Sequence, residues 1–266
     1  MNKSRLLTFL VVTFMSVPVL AQTPSGLEIM KERQRRHDAK SEMNKSLMKL
    51  FDRKGRVKER MISVMSKEGK DGLSKTLLKF LSPADIRNVG LLTWEQKETE
   101  DADQWLYLPA SRRVKRIAGG NKKSQFMGTD LAYEDLRPEN LNTHSYKVIE
   151  EKTVDGHLCW VVEAIPSTPK EKKDTGYGKR HFWVRKDIYI IIRAEFYTHS
   201  GKRIKIATFD ELEQVRDQMW RANQSTFERV LFKTKTVITT LSRVLDAELP
   251  ENMFSQHSLK RPPRAK

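Results

Sequence analysis

Apolar and polar residues alternate with a period of two along most of this chain, in short runs separated by turn-forming residues. Runs at 57–65, 76–81, 89–94, 104–108, 114–117 and 146–153 read as strands, and so do 158–165, 179–185, 188–197, 203–209, 221–230 and 234–241. Met43, Leu47 and Phe51 mark one face of a further strand, joined to 57–65 by the turn Asp52-Arg53-Lys54-Gly55. Val154-Asp155-Gly156, Arg185-Lys186-Asp187 and His199-Ser200-Gly201 supply more hairpin turns. Only three stretches suggest helices. One is 23–37, capped by Ser25 with Leu27, Met30 and Gln34 on one face; the others lie near 130–136 and 251–259. The pattern predicts one mainly antiparallel sheet bent into a sandwich or barrel and excludes a parallel α/β fold.

The alternation also predicts which side chains share a face. In 188–197, Ile190, Ile192, Ala194 and Phe196 fall on one side and Tyr189, Ile191, Arg193, Glu195 and Tyr197 on the other. Leu158, Trp160, Val162 and Ala164 repeat the apolar side, as do Ile204 and Ile206. A sheet with a continuous apolar face needs a cover. Helices, a second sheet or a bound acyl chain all satisfy that need, so periodicity alone fits an ordinary closed core as well as a lined cavity.

Residues 104–117 carry the most specific chemistry. Trp105 and Tyr107 share one strand face, with Leu106 and Leu108 on the other, before a proline corner at Pro109 and a basic cluster of Arg112, Arg113, Lys115 and Arg116. One reading is two half-buried strands with a solvated turn. The other has the aromatics, with Trp94 nearby, lining an amphiphile pocket while the cations meet lipid headgroups or an acidic partner.

Charge and rare residues narrow the function. The first 21 residues have the form of a secretory signal: Lys3 and Arg5, an apolar core over 6–20, and a small-residue box ending at Ala21. That apolar core falls short of the roughly 20 residues a spanning helix needs and contains Ser16 and Pro18. The organisation expected is a signal peptide at 1–21, one domain at 22–259 and a basic disordered tail at 260–266, in a periplasmic protein. The formal net charge is +16. Because export argues against nucleic acid, the expected counterpart is an anionic membrane surface or an acidic protein. The single cysteine, Cys159, lies in an apolar run, and the six histidines are scattered, so no disulfide, metal centre or cofactor is expected. Glu134-Asp135 and Glu150-Glu151 read as solvated charges, and Gly119-Gly120-Asn121-Lys122-Lys123 lacks phosphate-loop spacing. No serine sits in a nucleophile elbow, so the chain is not expected to be an enzyme.

The segment at 104–117 is preceded by Phe80-Leu81-Ser82-Pro83-Ala84-Asp85-Ile86-Arg87 and followed by residues 124–136, Ser124-Gln125-Phe126-Met127-Gly128-Thr129-Asp130 and onward. In order and spacing these three blocks resemble the LolA-like outer-membrane lipoprotein-sorting family, with further similarity through 177–193, Gly201-Lys202 and the region of Phe254. The chain departs from the pattern at Asn88-Val89-Gly90 and at Leu131-Ala132. The resemblance implies a curved antiparallel sheet forming an unclosed half β-barrel, plugged by a few helices. It also implies a carrier that shields lipid or lipoprotein acyl chains on the way to the outer membrane, beside an RND-type (MMPL-like) transporter and an outer-membrane receiver. In that reading Phe126, Met127 and Tyr133 pack over the cavity and 130–136 serves as its lid. A non-transporting adaptor that docks through its basic patches, with peripheral membrane contact, is the alternative; a lipid hydrolase lacks a nucleophile.

Overall fold

The computed structural model describes residues 23–97 and 102–262. The expected signal peptide, and the tail beyond 262, lie outside the described residues. Thirteen strands form one antiparallel sheet: β1 Ser41–Phe51, β2 Val57–Glu68, β3 Ser74–Ser82, β4 Gly90–Trp94, β5 Asp103–Leu108, β6 Arg113–Arg116 and β7 His144–Val154, continuing with β8 His157–Pro166, β9 Lys179–Arg185, β10 Ile191–Tyr197, β11 Arg203–Arg216, β12 Met219–Arg229 and β13 Thr234–Leu245. The strand order is β6-β5-β4-β3-β2-β1-β13-β12-β11-β10-β9-β8-β7. Every neighbour is a hairpin partner except β1 with β13, where the start of the sheet meets its end. β6 and β7 stand at opposite edges and do not pair with each other, so the sheet is a half-barrel rather than a closed one.

Strand register explains why one face is apolar across the whole sheet. Val148, Val162, Phe182, Ala194, Ala207, Phe227, Thr236 and Leu50 lie opposite one another in turn, a row that crosses eight strands. Val64, Leu78, Leu91 and Leu106 carry the same face across β2 to β5. We call this the inner face. Met43, Met65, Leu77, Leu92 and Trp105 form a row on the opposite, outer face.

Three segments cover these rows. Helix α1 (Gly26–His37) lays Ile29 and Met30 against Trp160, Val162 and Phe182 on the inner face. Ser25 caps it through a reciprocal pair of bonds with Glu28. Its buried stripe is Gly26, Ile29 and Met30; of the Leu27, Met30 and Gln34 that the sequence suggested, Met30 is on it. Gly26 sets the rotation: a Cβ there would stand 2.7 Å from the main chain of Tyr146 and Lys147 on β7, so glycine lets the helix press against the strand. The connection from β6 to β7 lays Phe126 and Tyr133 over the other half of the inner face. The C-terminal segment lays Leu249, Phe254 and Leu259 on the outer face; it includes α3 (Gln256–Leu259), and Lys260 and Arg261 close the last turn of that helix. A further short helix, α2 (Pro169–Asp174), falls where the sequence suggested no element, and 3-10 turns stand at Pro109–Ser111, the expected proline corner, and at Gly119–Asn121. No helix of the described residues is long and apolar enough to cross a membrane.

The phase of some strands differs from expectation. On β1 the inner face carries Met48 and Leu50, while Met43 faces outward and is 37% exposed, because residues of both parities on this strand are apolar. Leu158 is exposed, lying outside the row that begins at Trp160. A register irregularity between Ile191 and Arg193 resets the alternation of β10, so Ile191 joins Ala194 and Phe196 on the inner face. Ile192 turns outward to Cys159, Val161 and Trp183.

Candidate functional site

The inner face has two differently built halves. Over β7 to β12, Ile29 and Met30 of α1 fill the surface formed by Trp160, Val162, Phe182, Ala194 and Phe196, all buried. At its far end the helix is held by His37, whose Nε2 donates to the carbonyl of Ile188 (3.1 Å) and whose Nδ1 accepts from the Trp220 amide (3.2 Å). Burial, with Arg33 nearby, pushes the His37 pKa down to about 4, which matches the neutral ring this bonding requires.

Over β2 to β5, the stretch between β6 and β7 brings Phe126 against Phe80 (5.7 Å between ring centroids) and Tyr133 edge-on to Phe126 (5.5 Å). Polar bonds pin this stretch to the sheet. Gln104 Nε2 donates to the Tyr133 carbonyl (3.1 Å), and an Arg60 guanidinium N–H donates to the Met127 carbonyl (2.8 Å). The Asp130 amide donates to Thr236 Oγ1 (2.9 Å), and the Asp130 carboxylate accepts from Thr234 and Thr236. Asp135 forms a buried ion pair with Lys205 and accepts from the Tyr177 hydroxyl at 2.9 Å. Burial and the adjacent Asp135 hold the Tyr177 phenol well above its ordinary pKa, keeping it protonated as a donor.

A second buried network flanks α1. Arg180 makes two bonds to Glu139 (2.7 and 2.9 Å), and the Tyr146 hydroxyl donates to the same carboxylate at 2.6 Å. Burial pushes the Glu139 carboxyl up, but Arg180, His144 and the Tyr146 hydroxyl together outweigh it and the pKa falls below the usual value. His144 lies 2.8 Å from Arg180, and burial with that positive neighbour lowers its pKa to about 4.

Between the two covers lies a strip of half-buried apolar residues, Phe209, Phe227 and Ile238, with the rings of Phe209 and Phe227 edge to face at 6.1 Å. Two cavities formed by described residues lie elsewhere. One of about 850 Å³ runs along α1, bounded by Ser25, Glu28, Glu32 and Arg35, and reaches Tyr189, which packs against Trp160. Another of about 460 Å³ lies between β11, β12 and β13 and is lined mainly by polar side chains, among them Glu213, Asn223 and Arg243. The apolar inner face is thus occupied by the chain's own covers. The Trp160 indole N–H is buried there without a hydrogen-bond partner among the described residues.

The structure brings together some of the residues proposed from sequence and separates others. Phe126, Met127, Tyr133, Trp160 and Phe196 belong to the inner face. Trp94, Trp105 and Tyr107 do share a face, but it is the outer one. Trp94 stands edge-on to Trp105 at 4.8 Å, and its indole N–H donates to the Phe254 carbonyl (2.8 Å) beneath the C-terminal segment. Ile192 is on the outer face as well, and Ile190 is buried in the connection before β10, in neither apolar cluster of the inner face. Arg112, Arg113, Lys115 and Arg116 are exposed along the edge strand β6 and the turn before it, with Arg116 paired to Asp103. Sequence reasoning missed Ile29, Phe182, Phe209 and Phe227. Phe182, Phe209 and Phe227 fall at inward positions of runs already read as strands, so the signal was present for them.

A family profile described only as that of an uncharacterized protein matches residues 72–261. A domain assigned by name to outer membrane lipoprotein sorting, from Vibrio parahaemolyticus, is 31% identical; the match covers 89% of this chain and 98% of that one, with a TM-score of 0.83. A DUF1329 family protein from Desulfovibrio piger is 30% identical over 88% of this chain and 97% of its own, with a TM-score of 0.82. The LolA superfamily protein of Nitrosomonas europaea, 17% identical, shares the fold with a TM-score of 0.70 over 89% of this chain and all of its own (100%). No curated protein matches this chain.

Proposed function

Because this chain belongs to the LolA-like outer-membrane lipoprotein-sorting family, we propose that it is a periplasmic carrier that shelters lipid or lipoprotein acyl chains on their way to the outer membrane. One observation carries the reading: a row that is apolar at every position but Thr236 crosses eight neighbouring strands of an unclosed sheet, and what covers it is a helix and a connecting stretch rather than a second sheet. Displacing α1 would expose Trp160, Val162, Phe182 and Phe196 as a continuous surface, with Phe209 and Phe227 extending it towards β13. Each buried methylene contributes about 0.8 kcal/mol, enough to hold a long chain without covalent chemistry. The unpartnered indole N–H of Trp160 would then meet a polar atom of the cargo. Cargo would arrive from an inner-membrane RND-type exporter and leave to an outer-membrane receiver.

Delipidated protein is expected to take up a fluorescent long-chain acyl probe, and protein isolated from its own envelope to carry lipid mass in native mass spectrometry. Failure of every acyl probe and native lipid to bind overturns the proposal. The filled inner face favours a second reading, an adaptor that docks on a partner without carrying cargo. Charge reversal at Arg112, Arg113 and Arg116 separates the two: loss of a partner from a protein that takes up no acyl probe favours the adaptor, whereas probe uptake in parent and variant alike favours the carrier.

A further inference from the structure

The antiparallel order places the turn between β1 and β2 and the turn between β12 and β13 side by side at one end of the sheet. Phe51 is the register partner of both Val57 on β2 and Lys235 on β13. Turns at such a tip ordinarily carry Gly, Asn or Asp. Here residues 230–233 are Val-Leu-Phe-Lys, with Lys233 taking the left-handed position (φ 54°). Leu231 is 50% exposed, Phe232 55% and Val57 46%. Neither turn geometry nor core packing accounts for a leucine and a phenylalanine held out at the tip.

Cations surround this apolar tip. Arg53, Lys54 and Lys233 are exposed and have no carboxylate partner among the described residues. The Arg229 guanidinium lies 3.7 Å from the Phe232 ring centroid, and the Lys235 ammonium 4.9 Å from that of Phe51. Asp52, the acidic residue within the first turn, is already committed: its carboxylate accepts from the Lys54 and Arg56 amides and the Arg56 guanidinium, which hold its pKa below the usual value. Arg112, at the turn between β5 and β6, falls at this same end of the sheet, whereas Arg116 lies at the far end of β6.

We propose that this end of the half-barrel docks on an anionic lipid bilayer, with Leu231 and Phe232 entering the interface and Arg53, Lys54 and Lys233 meeting lipid phosphates. An acidic protein would account for the charge but leaves the projecting Leu-Phe pair without a role, whereas a headgroup interface takes both an apolar wedge and its cationic collar. The proposal does not rest on the carrier reading, since a docking adaptor would use the same surface.

The test is co-sedimentation of the full mature chain with vesicles of phosphatidylcholine alone and of phosphatidylcholine with phosphatidylglycerol. Binding is expected to the anionic vesicles only and to weaken with added salt. Reversing Lys54 and Lys233 to Glu should weaken it by about fivefold or more per site, and Leu231→Ser with Phe232→Ser by about tenfold or more. All four side chains are exposed, so the variants should melt like the parent. An environment-sensitive dye on Phe232→Cys should shift to the blue with anionic vesicles. No binding to those vesicles, or binding unchanged by the Leu231/Phe232 double variant, overturns the proposal. So does loss of a protein partner in these variants when no vesicle binding exists.

Discussion

The two covers of the inner face are held by different forces. Helix α1 sits on it through Ile29 and Met30, is fastened at its end by one neutral histidine, and sets the guanidinium of Arg33 in the field of Glu139. The stretch between β6 and β7 also buries aromatics, but it is nailed down by Asp130, by Asp135 with Lys205, and by bonds from Arg60 and Gln104. Apolar contact has no preferred direction and is exchanged easily for another apolar surface, an acyl chain included. A buried ion pair cannot be released into an oily ligand without a large penalty. On the proposed carrier reading this difference favours α1 as the moving cover and the 117–137 stretch as a fixed wall, whereas the sequence placed the expected lid at 130–136.

The largest expected effect is on the wall. Lys205→Met leaves Asp135 charged and buried, and should cost about 3–5 kcal/mol in denaturant unfolding, while Asp135→Leu combined with Lys205→Met should recover much of it. A cost below about 1 kcal/mol for the single variant would remove the contrast between the covers.

Next comes the helix: Ile29→Ala, at a fully buried site, should cost about 2–4 kcal/mol. Its signature is faster hydrogen exchange confined to residues 26–37 and faster acyl-probe exchange, with 117–137 unchanged.

Acid should act on the same side. Both His37 and His144 have folded pKa values lowered to about 4, so between that value and the ordinary 6.5 the unfolded chain binds more protons. Their contribution is whole above about pH 6.5 and is lost as pH falls towards 4; allowing for partial exposure, it is about 1–2 kcal/mol each. His37→Gln should flatten the fall in melting temperature between pH 7 and 5, and an equally steep fall in that variant would count against its role. Smallest is Ser25→Ala, which removes the cap of α1 and should cost about 1 kcal/mol, read as fraying of the first helical turn.

Much of this architecture was legible in the residues. Strand runs and turns such as Asp155-Gly156 are local features, set by side-chain period and by which residues tolerate a left-handed backbone. The pairing of Trp105 with Tyr107, and of Leu106 with Leu108, followed from the same period. Which pair faces which cover did not: Trp105 and Tyr107 meet the C-terminal segment more than 130 residues later, a contact no local pattern encodes. Ile192 left the inner face because one irregularity in β10 shifts everything before it by one position.

By itself, then, the sequence determined that the chain would form many short antiparallel strands with an apolar side, since alternation and turn chemistry act between near neighbours. The tertiary structure decided which side faces inward, what lies over it, and that the Asp135–Lys205 ion pair ties only one of the two covers to the sheet. Those outcomes depend on residues such as Asp135 and Lys205 meeting across 70 positions of chain, where only the packed fold sets the distance.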